Sequence, residues 1–142
     1  MSETIVREEG REVTILVASH DITVLSSCLP PGEQVAGRHV HFEHTDSFYV
    51  LEGEVTFEVG REAEEIVVPA GGFLSAPPLV AHAVRTSGDR PARWLTIHSP
   101  DGGFAAFMRG RRDGVDVEWD IAPVPDDGGR PAADAVVRTP EA

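Results

Sequence analysis

His39 and His41 are separated by a single residue. Alternate side chains of an extended strand point to the same face, so this spacing places two imidazoles side by side. A carboxylate follows at Asp46 and a third imidazole at His82. Three imidazoles and one carboxylate suit a divalent transition metal. The sequence therefore predicts a metal centre formed by these four residues.

Each candidate ligand also has a purely structural interpretation. The first two histidines could be ordinary polar residues of a strand, and His82 could be a buried histidine with satisfied hydrogen bonds. Asp46 lies in a turn, where an aspartate often bonds to nearby backbone groups. Glu43 and His44 are close enough in sequence to replace Asp46 as a ligand if the loop folds differently.

His98 and Tyr49 are candidates for moving a proton in catalysis. His98 shares a strand face with Trp94 and Thr96, and it would line a pocket if that face points into the domain. The alternative is a histidine at the end of a strand, bonded to solvent. Tyr49 alternates with its apolar neighbours, so packing or a dimer contact is its default role.

The composition describes a small acidic globular protein. A length of 142 residues fits one domain, and 41% hydrophobic residues with 14 Gly and 11 Pro favour a globular chain with many turns. The formal net charge of −12 disfavours binding to nucleic acids or anionic membranes. A small-molecule substrate is the expected partner.

The cellular location is predicted from what the sequence lacks. The single cysteine, Cys28, cannot form an internal disulfide, and no apolar run approaches the length that spans a membrane. The first residues lack the charged and apolar regions of a signal peptide. A cytoplasmic location is therefore expected.

Short extended runs recur about every ten residues, separated by turn signals, which is typical of an all-β sandwich or barrel. The expected strands are 12–18, 22–27, 39–42, 47–52, 54–59, 64–68, 73–76, 81–86 and 93–98. The run Glu54–Val59 alternates regularly, so it should bury its apolar residues on one face. Those residues are Val55, Phe57 and Val59.

The C-terminal part of the chain changes in composition after the last expected strand. A short capping helix should begin after Asp101 and bury one apolar side. The residues on that side are Phe104, Phe107 and Met108. We expect residues 1–121 to form the barrel with this helix, and residues 122–142 to form an extended or partly disordered tail. Val136 and Val137 in the tail could pair with an edge strand.

The predicted ligands lie in two segments that resemble the conserved motifs of the cupin superfamily. The first runs from Pro31-Gly32 to Gly53 and includes His39, His41 and Asp46, and the second runs from Pro69 to Thr86 and includes His82. The most distinctive part is Phe48–Val55. The resemblance covers roughly residues 15–100, and Asp46 holds the position where the family usually has glutamate.

The resemblance implies a double-stranded β-helix, or jelly-roll barrel, with one divalent transition metal. Iron or manganese is favoured, and nickel, cobalt or zinc is possible. The chain looks most like the small quercetin-dioxygenase-like cupins. We expect an apolar wall around the metal, which suits an apolar, oxygen-bearing substrate. The residues expected in that wall are Phe48, Val50, Phe73, Leu74 and Val84.

Three functions are compatible with such a site. The first is a quercetinase-like dioxygenase that depends on Fe(II) or Mn(II). The second is a non-redox isomerase, lyase or cyclase in which the metal acts as a Lewis acid and His98 or Tyr49 moves a proton. The third is a non-catalytic metal- or ligand-binding module. A homodimer is also expected, because jelly-roll domains have open sheet edges.

Overall fold

Two antiparallel β-sheets form the body of the protein in a computed structural model, which describes residues 2–140. The strands are β1 (Glu3–Glu8), β2 (Arg11–Ala18), β3 (Thr23–Leu29), β4 (Gln34–His39), β5 (Thr45–Glu52), β6 (Glu54–Val59), β7 (Glu64–Pro69), β8 (Phe73–Ala76), β9 (His82–Ser87), β10 (Ala92–Ser99) and β11 (Val136–Arg138). One α-helix, α1, spans Phe104–Asp113, and a short 3-10 helix spans Ala132–Asp134. The prediction of an all-β fold with a short C-terminal helix is confirmed.

The sheets contain seven and four strands. The larger has the order β1-β2-β3-β10-β5-β8-β11, and the smaller has the order β4-β9-β6-β7. Neighbouring strands are often distant in sequence, as expected for a jelly roll, in which the chain crosses repeatedly between two sheets. This crossing brings distant segments together in the interior.

The main core lies between the two sheets. Val55, Phe57 and Val59 of β6 are completely buried, which confirms the inward face predicted from their alternation. They pack in one cluster with Phe48 of β5 and Trp94 of β10, which belong to the other sheet. The core therefore joins the two sheets and fixes how their inward faces meet.

The observed strands differ most from the expected ones at β1 and β4. β1 was not expected, because its sequence is rich in charge and buries only Ile5 against the rest of the chain. The strand expected at 39–42 instead spans Gln34–His39. Its pairing with β9 has two register shifts, so apolar and polar residues do not alternate regularly along it and the sequence does not reveal the strand. Phe42, expected inside that strand, is 54% exposed.

Helix α1 packs on the larger sheet through its apolar side. Phe104 is buried against a second apolar cluster that includes Ile15 and Leu25, and Phe107 and Met108 pack at its margin. No helix among residues 2–140 is long and apolar enough to cross a membrane.

The segment after α1 returns along the barrel. Ala122 pairs with Val40, and Gly129 pairs with Val80, each through an isolated antiparallel bridge. Strand β11 then pairs with β8, which confirms the pairing predicted for Val136 and Val137. Residues 141–142 of the predicted tail lie outside the described residues.

Candidate metal centre

The register of the two sheets brings four polar side chains to one point in the interior. His39 on β4 lies directly opposite His82 on β9, and Asp46 on β5 lies directly opposite His98 on β10. The first pair belongs to the smaller sheet and the second to the larger sheet. Asp46 Oδ2 lies 3.0 Å from His82 Nε2, so the two pairs meet across the interior.

His41 joins this group from a loop. Its Nε2 lies 3.4 Å from Asp46 Oδ2. The prediction that His39 and His41 share one strand face is therefore corrected, because β4 ends at His39 and the chain turns after Val40. The ligand atoms of His39, His41, Asp46 and His82 nevertheless lie within 4.8 Å of one another. The structure thus brings the four predicted ligands together.

Backbone carbonyls fix the orientation of all three predicted imidazole ligands. The contacts are His39 Nδ1 to Gly37 O at 2.7 Å, His41 Nδ1 to Asp120 O at 2.6 Å, and His82 Nδ1 to Val80 O at 3.0 Å. A carbonyl oxygen only accepts hydrogen bonds, so each Nδ1 must carry the hydrogen. In the neutral ring, Nε2 then keeps a lone pair that points to the centre, which is the tautomer that binds a metal.

Burial and the neighbouring side chains together determine the protonation of His39 and Asp46. Burial lowers the pKa of His39 to about 4, and the neighbouring His82 adds to the effect. Burial alone would raise the pKa of Asp46, but the surrounding imidazoles, His98 foremost, hold it well below its usual range. At neutral pH, His39 is therefore neutral and Asp46 is an anion.

These donors fit a cation. The Nε2 atoms of His41 and His82 converge on one buried Asp46 oxygen, which places three potential ligand atoms around one point. The other oxygen, Asp46 Oδ1, is buried and has no hydrogen-bond partner within residues 2–140. Ligands of a transition metal can lie about 4.2 Å apart across the ion, because each bond is about 2.1 Å long. The four donors could close on one divalent ion with small side-chain rotations.

His98 lies next to this group. Of the two alternatives for His98, the structure shows the inward one, because the face that it shares with Trp94 and Thr96 is buried and His98 is only 2% exposed. Its ring stacks on Phe104 with a centroid distance of 3.7 Å. Its Nε2 lies 3.3 Å from Asp46 Oδ1.

His98 is connected to the protein surface through His44 and Asp120. His98 Nδ1 lies 2.7 Å from His44 Nε2, and His44 Nδ1 lies 2.7 Å from Asp120 Oδ2. Burial tends to raise the pKa of Asp120, but the backbone N–H groups that it accepts outweigh this and lower it. The Asp120 anion accepts from His44 Nδ1–H, so His44 Nε2 must accept from His98 Nδ1–H. Burial lowers the pKa of His98 to about 4, so its Nε2 is a neutral base directed at Asp46.

The two alternatives to Asp46 point elsewhere. The Glu43 side chain is exposed, and its backbone N–H donates to Asp120. His44 bonds to Asp120 and His98, although its ligand atom lies within 4.8 Å of those of His41 and His98. Among the three candidates, Asp46 is the one grouped with His39 and His82.

Tyr49 does not reach the centre. Its side chain is 39% exposed and lies on the outer face of the larger sheet, because Phe48 and Val50 on either side of it point inward. The proton-transfer role suggested for Tyr49 is therefore corrected, and its outer position leaves packing or a partner contact as its role.

A cavity of about 720 Å³ opens from the centre. Its wall includes His39, Asp46 and His98 at the inner end. The apolar lining comes from both the barrel and α1, and includes Phe48, Val84, Trp94, Phe104, Phe107 and Met108. Of the wall residues expected from sequence, Phe48 and Val84 line this cavity. Val50 and Leu74 are instead packed in the closed core, and Phe73 lies on the opposite strand face from Leu74.

Sequence reasoning missed the contribution of Asp120. This residue lies 76 residues after His44. No local sequence pattern indicates that Asp120 would form hydrogen bonds with the loop at residues 41–44. Only the return of the chain after α1 brings the two segments together.

Comparison with known proteins identifies the family and the fold of this chain. Residues 25–98, just over half of the chain, match the family of the cupin domain. A protein from Klebsiella pneumoniae with a double-stranded β-helix domain superposes with a TM-score of 0.57 at 23% identity, over 67% of this chain and 81% of that chain. The predicted double-stranded β-helix is thereby confirmed.

Two similar proteins have named activities. The quercetin 2,3-dioxygenase of Bacillus subtilis (strain 168) is 37% identical over 62 residues, which cover 44% of this chain and only 18% of that enzyme. An oxalate decarboxylase structure superposes with a TM-score of 0.57 at 25% identity, over 70% of this chain and 28% of that chain. This chain therefore spans a small part of both proteins.

Proposed function

Because this chain belongs to the cupin family, we propose that it is a metal-dependent enzyme that acts on an apolar, oxygen-bearing small molecule. The observation that carries the proposal is the convergence of His39, His41, Asp46 and His82 within 4.8 Å. Backbone carbonyls engage Nδ1 of the three histidines, which leaves Nε2 of each ring for a metal. A protein interior maintains such an arrangement best when a cation occupies it.

The proposed cofactor is one divalent transition metal, with iron or manganese favoured and nickel, cobalt or zinc possible. Three imidazoles and one carboxylate leave positions on a five- or six-coordinate ion for substrate oxygen. When bound, the metal would polarise that oxygen and, for a redox metal, give access to dioxygen chemistry. The chain's own contribution is to hold the four ligands and to shape the space beside them.

The cavity favours an apolar substrate of moderate size. Its volume of about 720 Å³ lies in the range of about 300–1,000 Å³ that is typical of small-molecule sites. The aromatic rings of Phe48, Phe104 and Phe107 offer flat apolar contacts. Polar groups lie both at the metal end and on other parts of the wall, where arginines such as Arg11 and Arg112 contribute. A substrate with one oxygen-bearing end and an apolar body would match both regions.

His98 is proposed to assist by accepting a proton at Nε2. That atom is a neutral base at the edge of the cavity, 3.3 Å from Asp46 Oδ1. The hydrogen bond from Nδ1 to His44 keeps the ring in the tautomer whose Nε2 can accept. The stack on Phe104 fixes the plane of the ring. His98 would therefore act on substrate without being one of the four ligands.

We propose a quercetinase-like dioxygenase as the first reaction, and the similarity to the Bacillus subtilis enzyme supports it. The test is elemental analysis of purified protein, followed by oxygen uptake after loading with Fe(II) or Mn(II) and addition of a flavonol. One metal per chain and flavonol-dependent oxygen uptake are expected. Metal-loaded protein that consumes no oxygen with flavonols or diketones would overturn the dioxygenase assignment.

A non-redox lyase, isomerase or cyclase is the second candidate, and the similarity to an oxalate decarboxylase supports it. The same centre would then act as a Lewis acid, with His98 moving the proton. Turnover that continues under anaerobic conditions would favour this candidate. Failure of every metal form to transform oxygen chelators, with or without oxygen, would favour a binding module.

We also propose that the protein is a homodimer. Strands β1 and β11 are the two edges of the larger sheet, and such edges are available for pairing between copies. Exposed Tyr49 and Leu51 add apolar surface on the outer face of the same sheet. Light scattering at micromolar concentration should give twice the chain mass, and a monomer mass would contradict the proposal.

A further inference from the structure

Asp120 lies outside the region that matches the cupin domain, on the segment that returns to the barrel after α1. Its carbonyl oxygen accepts from His41 Nδ1 at 2.6 Å. Its carboxylate accepts from the backbone N–H of Phe42 at 2.9 Å, from the backbone N–H of Glu43 at 2.8 Å, and from His44 Nδ1 at 2.7 Å. One residue therefore bonds to four consecutive residues of the loop that carries His41.

Asp120 is itself held firmly. Its backbone N–H donates to Gly102 O at 2.9 Å. Two residues later, Ala122 exchanges both backbone hydrogen bonds with Val40, each 3.0 Å long. The Asp120 side chain is only 13% exposed. Its bond to His44 is partly shielded from water, whereas its bonds to the backbone of Phe42 and Glu43 are exposed.

We propose that Asp120 is a positioning residue for the metal centre. Its carbonyl fixes His41 in the tautomer whose Nε2 faces the metal, and its carboxylate fixes the loop and His44. Through His44 it also sets the orientation of His98 at the edge of the cavity. This inference rests on the proposed metal binding, and it assigns part of the centre to a segment beyond the matched domain.

The carboxylate, rather than any small polar group, is what the arrangement requires. Three N–H groups point at its two oxygens, and Oδ2 accepts from both Glu43 and His44. In Asp120→Asn, one oxygen would become an NH₂ group that faces at least one donor. A donor that loses its acceptor weakens the hold on the loop, whereas the size of the side chain hardly changes.

The test compares the Co²⁺ affinity of wild type, Asp120→Asn and the control Asp116→Asn in competition with a chromophoric chelator. Asp116 is exposed on the same returning segment, so its variant removes an equal charge without touching the loop. We expect Asp120→Asn to bind Co²⁺ about 10–100-fold more weakly, the usual cost of losing a group that orients ligands. The control should stay within about twofold of wild type.

Equal affinity of wild type and Asp120→Asn would overturn the positioning role. Failure of wild type itself to bind Co²⁺, Fe²⁺, Mn²⁺, Ni²⁺ or Zn²⁺ would instead overturn the proposed metal-dependent function. The two failures are therefore distinguishable in one series of titrations.

Nitrogen NMR of the metal-free wild type provides a test that does not depend on the variant folding. The hydrogen bonds to Asp120 require His41 and His44 to carry their hydrogen on Nδ1. We expect both rings to show this tautomer. An Nε2–H tautomer at His41 or His44 would overturn the inference.

Discussion

The metal centre has two parts that are built differently. The strand part consists of His39, His82, Asp46 and His98, which form two cross-strand pairs in the two sheets. The loop part consists of His41 and His44, which lie between β4 and β5 and are held by Asp120. Both parts supply imidazoles to the same interior, but only the first is fixed by sheet hydrogen bonds.

The two parts of the centre differ in how firmly the fold holds them. Residues of the strand part are placed by the pairing of long strands and by the core behind them, so their positions follow from the fold. Residues of the loop part depend on one distant residue. We therefore expect large losses when a ligand of the strand part is removed, and graded losses when the support of the loop part is disturbed.

The largest effect should follow from removing a ligand of the strand part. His82→Ala should weaken Co²⁺ binding by more than the roughly 100-fold that marks the upper end for supporting residues. Chelator competition measures this, with the unfolding midpoint of the metal-free variant recorded alongside. His20→Ala is the control, because His20 is almost fully exposed far from the centre. Retained affinity in a folded His82→Ala protein would remove His82 from the ligand set.

Two substitutions at Asp46 should separate the effect of the carboxylate charge on metal affinity from the effect of side-chain length. Asp46→Ala should lower metal affinity strongly, because the centre loses its anion. Asp46→Glu should preserve or raise affinity, since glutamate is chemically matched to a hard divalent ion and reaches further. Calorimetric titration with Mn²⁺ measures both variants. Equal affinity of wild type and Asp46→Ala would show that Asp46 is not a ligand.

The stability of the metal-free protein should fall as the pH drops from 7 to 5. Burial lowers the pKa of His39 and His98 to about 4, whereas the unfolded chain has imidazole pKa values near 6.5. At these two residues the unfolded state therefore takes up protons in this interval, whereas the folded state stays largely unprotonated. By linkage, each of the two histidines should lower the free energy of unfolding by at most about 2 kcal/mol between pH 7 and pH 5.

Urea unfolding at the two pH values tests this. The loss should be smaller in His98→Gln than in wild type, because the glutamine cannot titrate. His20→Gln serves as the control and should retain the wild-type loss, since His20 is exposed. The same loss in His98→Gln and wild type would contradict the assignment of His98 as a buried neutral base.

The sequence predicted the strand part better than the loop part, and the reason is physical. Alternation along β10 correctly grouped His98 with Trp94 and Thr96 on one face, because a strand that packs on a core must alternate. It left open which face points inward. The support of His41 could not be predicted, since it comes from Asp120, 79 residues later. The irregular register of β4 likewise hid the end of that strand at His39.

A smaller effect should follow from crowding the loop part. A Cβ on Gly102 would lie 2.3 Å from His44 Nδ1, and Gly102 has a φ of +65°. Gly102→Ala should therefore displace His44 and weaken Co²⁺ binding by about tenfold, at the lower end for supporting residues. Gly114→Ala is a matched control, because Gly114 has a φ of +74° but open space around its Cβ position. Equal affinities of the two variants would show that His44 does not support the centre.

The smallest effect on metal binding, and the most informative about chemistry, is expected for His98→Ala. His98 belongs to the strand part, yet its Nε2 faces the second oxygen of Asp46 instead of completing the group of four. Metal content by elemental analysis should stay near one per chain, while turnover of any identified substrate falls. Loss of metal together with activity would make His98 a ligand, and the strand part would then supply one more donor than proposed. Unchanged metal content with unchanged turnover would show that His98 only stabilises the interior, through its stack on Phe104 and its bond to His44.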